Sequence, residues 1–161
     1  MRGVIRHKGM KSFALHLVLL LIVGCSIGVT VHDEDRAAEL IVDFLSAFKS
    51  DKDIHLSYEW TDDRFKEEVS FSEFSRIVSS IRIRNQGADI RLIGYEIFGS
   101  EEVIFVYASS DVSDGKMYFK FALVGTKYKD YYLLNLSVND SGFDKKGIYK
   151  DYGKSIAIQG V

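Results

Sequence analysis

Cys25 is the single thiol in a chain of 161 residues, and it closes an apolar run from Phe13 that reads FALHLVLLLIVGC. A thiolate is the nucleophile that thioether formation needs. Gly24 before it supplies the small side chain a peptidase needs at the bond to be cut. With that sulfur spent, the rest of the chain has no disulfide, no thiolate zinc site and no Cys nucleophile. The remaining candidates are sparse. His32 and His55 are the only histidines after the run, too few for a histidine metal site. Asp62-Asp63 and Glu101-Glu102 are paired acids, but a two-carboxylate mechanism needs them to converge in space. Glu96 lies among Tyr95, Ile97 and Phe98 and is the best single candidate for a buried acid. No Gly-rich phosphate loop, Ser-His-Asp arrangement or nucleotide fingerprint is present.

Ile22-Val23-Gly24-Cys25 resembles the bacterial lipobox. The resemblance implies cleavage between Gly24 and Cys25 and lipidation of Cys25. It makes residues 1–24 a lipoprotein signal peptide, whose apolar core is too short for a comfortable bilayer span of about 20 residues. MKSFALHLVLLLIVGC is already a complete signal from Met10, so Met10 and Met1 both stand as the start. Residues 25–32 are then the lipidated Cys and a tether. Several acyl chains on one residue make attachment effectively permanent. Ser26, where an Asp tends to retain lipoproteins in the inner membrane, implies the outer membrane, facing the periplasm.

Four of the 21 basic residues, Arg2, Arg6, Lys8 and Lys11, and none of the 23 acids precede Cys25. The chain from Cys25 onward therefore carries 17 basic and 23 acidic side chains, a net charge of −6, which argues against a nucleic-acid partner. High aromatic content, with 11 Phe and 9 Tyr, and the absence of Pro point to a packed domain rather than a disordered one.

Helical spacing of Ala37, Ile41, Phe44, Leu45 and Phe48 predicts a first helix over 33–49. A short second helix runs through Ile54 to Trp60, capped by Asp51 or Asp53. Thr61-Asp62-Asp63 offers a further cap before Arg64-Phe65-Lys66. Ser70 and Glu73 at capping-box spacing, with Val69 and Phe74 at staple positions, start a third helix at Phe71. After Asn85-Gln86-Gly87 the period becomes strand-like. Strands are predicted over 89–98, 102–109, 116–124 and 131–138, joined by breaks short enough for hairpins. Residues 33–140 thus read as one α+β domain with three helices on a four-stranded antiparallel meander. Residues 141–161 read as a C-terminal tail with an edge strand at 155–159. Aromatic and aliphatic residues fall on both faces of the meander: Tyr118, Ala122 and Val124 opposite Phe119, Phe121 and Leu123, and Tyr132, Leu134 and Leu136 opposite Tyr131 and Leu133. The face away from the helices is accordingly expected to meet a second copy or a membrane-protein partner, or to be covered by Ile148 to Val161 folding back.

Three helices followed by such a meander, with Phe44-Leu45-Ser46-Ala47-Phe48, Tyr58, Trp60 and Ser70-Phe71-Ser72-Glu73-Phe74 in place, resemble the nuclear-transport-factor-2-like (cystatin-like) cone, as found in small bacterial lipoproteins of unassigned function. Enzymes of that fold, such as ketosteroid isomerase, hold an acid or a His inside the cone. The expectation is a lipid-anchored envelope domain that binds a protein or small ligand without turning it over and without a cofactor. A ketosteroid-isomerase-like enzyme and an immunity or inhibitor lipoprotein are the alternatives.

Overall fold

The computed structural model describes residues 30–99 and 101–161. The expected signal peptide, its cleavage site Gly24-Cys25, the lipidation expected at Cys25 and the two candidate starts lie outside the described residues.

Among the described residues four α-helices come first. Helix α1 (Glu34–Ser46) starts where the Asp33 carboxylate accepts from the Arg36 N–H at 3.1 Å, with Glu34 and Asp35 in the first turn, where the helix dipole favours acids. It ends three residues earlier than the sequence predicts, and Ala47–Lys49 continue as a 3₁₀ turn. Helix α2 (Ile54–Glu59) comes after Asp53, whose side chain makes no capping bond. Asp51 does not cap it either, but pairs with Arg82. Asp62 accepts from the Arg64 N–H at 3.1 Å and starts a further helix, α3 (Asp63–Glu68), so the expected three helices are four. Helix α4 (Phe71–Asn85) begins at the predicted cap, with the Ser70 hydroxyl accepting from the Glu73 N–H at 3.3 Å. It stops at Gln86 (φ 51°) and Gly87 (φ 76°), a left-handed exit of the kind that ends helices. Among the described residues no helix is long and apolar enough to cross a membrane.

Among the described residues the sheet is antiparallel and has five strands rather than four: β1 (Ile90–Ile97), β2 (Val103–Val112), β3 (Gly115–Thr126), β4 (Lys129–Asn139) and β5 (Ile148–Ile158), in the order β4-β3-β2-β1-β5. The expected edge strand at 155–159 is only the end of β5. Its first half, Ile148 to Asp151, pairs with Ile97 to Gly94, and its second half, Ile156 to Ile158, with Leu92 to Ile90. Between them four residues of β5 oppose Ile93 alone, and this irregularity removes the two-residue period that would have revealed the strand.

A second irregularity changes which residues are inside. Leu123 pairs with Leu133, Ala122 with Asn135 and Phe121 with Leu136, so Leu134 is an extra residue in β4. A bulge shifts the phase of everything beyond it. Leu136, expected on the face opposite Leu133, therefore packs against the same core as Leu133. That core lies between the helices and one sheet face. Phe44, Phe48, Phe74, Phe119 and Phe121 are fully buried there, with ring centroids of Phe44 5.0 Å from Phe48 and 6.0 Å from Phe74. Trp60 packs against it half-buried.

Candidate functional site

Glu96 is buried, at 1% exposure, on the sheet face away from the helices. Its cover is the segment between β4 and β5, not the folded-back chain from Ile148 expected as the alternative, which extends the sheet instead. Phe143 packs on Tyr107 with centroids 6.2 Å apart, Gly142 lies beside the Tyr118 ring, and the Lys145 ammonium sits 4.6 Å from the Tyr107 ring centroid. Both carboxylate oxygens of Glu96 are engaged. One accepts from the backbone N–H groups of Lys146 and Gly147, and the other accepts from the Tyr107 hydroxyl.

Burial by itself pushes the Glu96 pKa up. The Tyr107 hydroxyl, the two N–H donors and the charge of Lys120 outweigh it and hold the carboxyl below its usual range. Lys120 is placed by lying over the Phe105 ring, 3.9 Å from its centroid. Burial, and then the bond to Glu96, push Tyr107 well above the ordinary tyrosine value. Held ionised at neutral pH, with both oxygens engaged by donors of its own chain, Glu96 is arranged as a clasp for the β4–β5 connection.

The other sequence candidates do not converge with it. His55 is exposed on α2. Asp62 is occupied by Arg64, whose side-chain bond to it lowers its pKa, and Asp63 is exposed at the start of α3. Glu102 pairs with Lys129 at 2.7 Å, which lowers its pKa, while Glu101 offers only its backbone carbonyl to His32. His32 also meets the Tyr131 hydroxyl at 3.3 Å and ties the chain ahead of α1 to the hairpin β3–β4. Among the described residues no group of three or more His, Cys, Asp or Glu side chains could hold a metal ion.

A groove of about 450 Å³ lies elsewhere, between α4 and the last two strands of the sheet before the connection, β3 and β4. Met117, Leu136 and Val138 form its floor, and Ile77 and Ile81 its helical wall. Arg76, Glu73 and Arg84 stand at its rim. Arg84 is held by Asp140, whereas the Arg76 guanidinium has no partner among the described residues. The volume is in the range of small-molecule sites, and the lining suits an apolar group bearing a negative charge. Sequence reasoning alone misses this groove. Arg76 and Arg84, eight residues apart on one helix, are a signal for the rim, but the floor depends on the bulge at Leu134.

No protein-family model matches the chain, and neither a curated protein nor a solved structure does.

Proposed function

We propose that this protein is a lipoprotein held by lipid on Cys25 in the cell envelope, on the outer membrane facing the periplasm, and that its α+β domain binds a ligand or partner without catalysis. The observation that carries the binding reading is the contrast between two sites among the described residues: the buried acid Glu96 has both oxygens engaged by its own chain, while the Arg76 guanidinium at the rim of the apolar groove under α4 has no partner. A general acid or base must be within reach of a reacting atom. Glu96 instead faces Tyr107 and the β4–β5 connection.

The arrangement of helices over one face of an antiparallel sheet supports the nuclear-transport-factor-2-like cone as the fold, with the groove as its opening. The lipobox supports the anchor. Fractionation of cells expressing the wild-type chain and Cys25→Ala tests the anchor: the wild type stays with membranes after a carbonate wash and the variant is released. A variant that still sediments with membranes overturns it.

A further inference from the structure

Ser70 and Glu73 have the spacing of a capping box, yet only half of the box is made. The Ser70 hydroxyl accepts from the Glu73 N–H, whereas the Glu73 carboxylate, which in a full box reaches back to the Ser70 N–H, has no partner among the described residues. One turn further along α4 the Arg76 guanidinium is likewise without a partner among them. Both side chains are exposed, and both stand at the rim of the groove floored by Met117, Leu136 and Val138. Their spacing allows an ion pair within the helix, but the two are not paired, and an exposed pair of that kind contributes little.

The charge balance of the rim narrows the ligand. Arg84, the other cation there, is neutralised by Asp140, so one cation and one anion remain uncompensated on neighbouring turns of α4. An anion without a cation would meet repulsion from Glu73 as it approached Arg76, and a cation without an anion would meet repulsion from Arg76. A molecule bearing both charges satisfies both. Cβ atoms three residues apart on a helix are about 5–6 Å apart, and the two ends of a dipeptide are at most about 7 Å apart. Beside the charges lies apolar surface, with Ile77 on the helical wall and the fully buried Met117 on the floor.

We propose that the groove under α4 binds a small apolar zwitterion of dipeptide size, its carboxylate taken by Arg76, its ammonium by Glu73 and an apolar side chain laid against Ile77 and Met117. This deepens the binding reading of the groove given above and rests on it. A planar guanidinium matches a carboxylate with two parallel N–H bonds, which fixes the direction of the ligand along α4.

Isothermal titration calorimetry of the full chain in lipid nanodiscs, with empty nanodiscs as the blank, tests this with leucyl-phenylalanine in four forms: both ends free, N-acetylated, C-amidated and blocked at both ends. The free dipeptide should bind saturably, and blocking either end should weaken it roughly tenfold, the scale of one hydrogen bond to a charged group. Glu73→Gln should weaken the free and amidated forms alone, and Arg76→Gln the free and acetylated forms alone. Ile77→Ser should weaken all four. All three side chains are exposed, and circular dichroism checks that each variant folds. Four forms bound equally, and weakened only by Ile77→Ser, overturn the zwitterion while leaving the groove as a binding site. Binding that none of the three variants alters places the dipeptide elsewhere and overturns the proposal, as does the lack of saturable binding by any form.

Discussion

The Tyr107 hydroxyl donates to the Glu96 carboxylate across neighbouring strands β1 and β2, beneath a connection whose own N–H groups of Lys146 and Gly147 hold the other oxygen. Hydrogen bonds to a charged group contribute about 1.5–3 kcal/mol each, and removing one partner leaves the rest buried and unsatisfied. Tyr107→Phe should therefore cost about 1.5–3 kcal/mol in urea unfolding. Glu96→Ala, which strands three donors, should cost more than Tyr107→Phe. Equal and small effects, below about 0.5 kcal/mol, would show that the clasp is not formed.

The pH dependence of stability follows from the sign of the shift. The Glu96 pKa is lower folded than its ordinary value of about 4.3, so its contribution is complete above that value and lost as pH falls through the lower folded one. Unfolding free energy should drop below about pH 4.5. Glu96→Gln should flatten that part of the profile. Tyr107 and Tyr95 behave in the opposite sense, since burial pushes both up, Tyr95 to about 12. Both are favoured neutral in the fold, and stability should fall again above about pH 10, the ordinary tyrosine value.

Two glycines separate close approach from mere flexibility. A Cβ at Gly147 would sit 2.6 Å from the Ile97 carbonyl oxygen and 3.1 Å from the Glu96 Cγ, whereas one at Gly153 meets nothing within 4 Å. Gly147→Ala should cost about 1–3 kcal/mol, the usual range for overpacking, and weaken protection of the Lys146 and Gly147 amides in hydrogen exchange. Gly153→Ala should leave both unchanged.

Phe44→Ala should cost about 3–5 kcal/mol, because the ring is fully buried against Phe48, Phe74 and Phe121. Trp60 only borders this core, and its backbone carbonyl rather than its ring holds β4, so Trp60→Ala should cost less. The comparison is made in the same denaturant series.

Local chemistry is the legible part of the sequence. Ser70, Gly87, Gly99 and Gly115 mark boundaries through capping or turns that few other residues satisfy, and the structure puts element ends at or beside each of them. Glu96 stands out as an acid among apolar neighbours. Its partners do not, because Tyr107 and Gly147 come from elements whose pairing is a tertiary fact. The adjacent Leu133 and Leu134 within an alternating strand are the one trace of the bulge that turns Leu136 inward. Strand β5 escapes because its middle, Tyr152 to Ser155, breaks step with β1. Helix α3 escapes because Asp62 marks a cap, while the two turns after it are too short to show a period.

Mass spectrometry of the N-terminal peptide from the membrane fraction tests the anchored reading most directly. The account predicts a mature chain that begins at Cys25 and carries a diacylglyceryl thioether on its sulfur. An N-terminal peptide that retains residues ahead of Cys25, with the thiol unmodified, would contradict it.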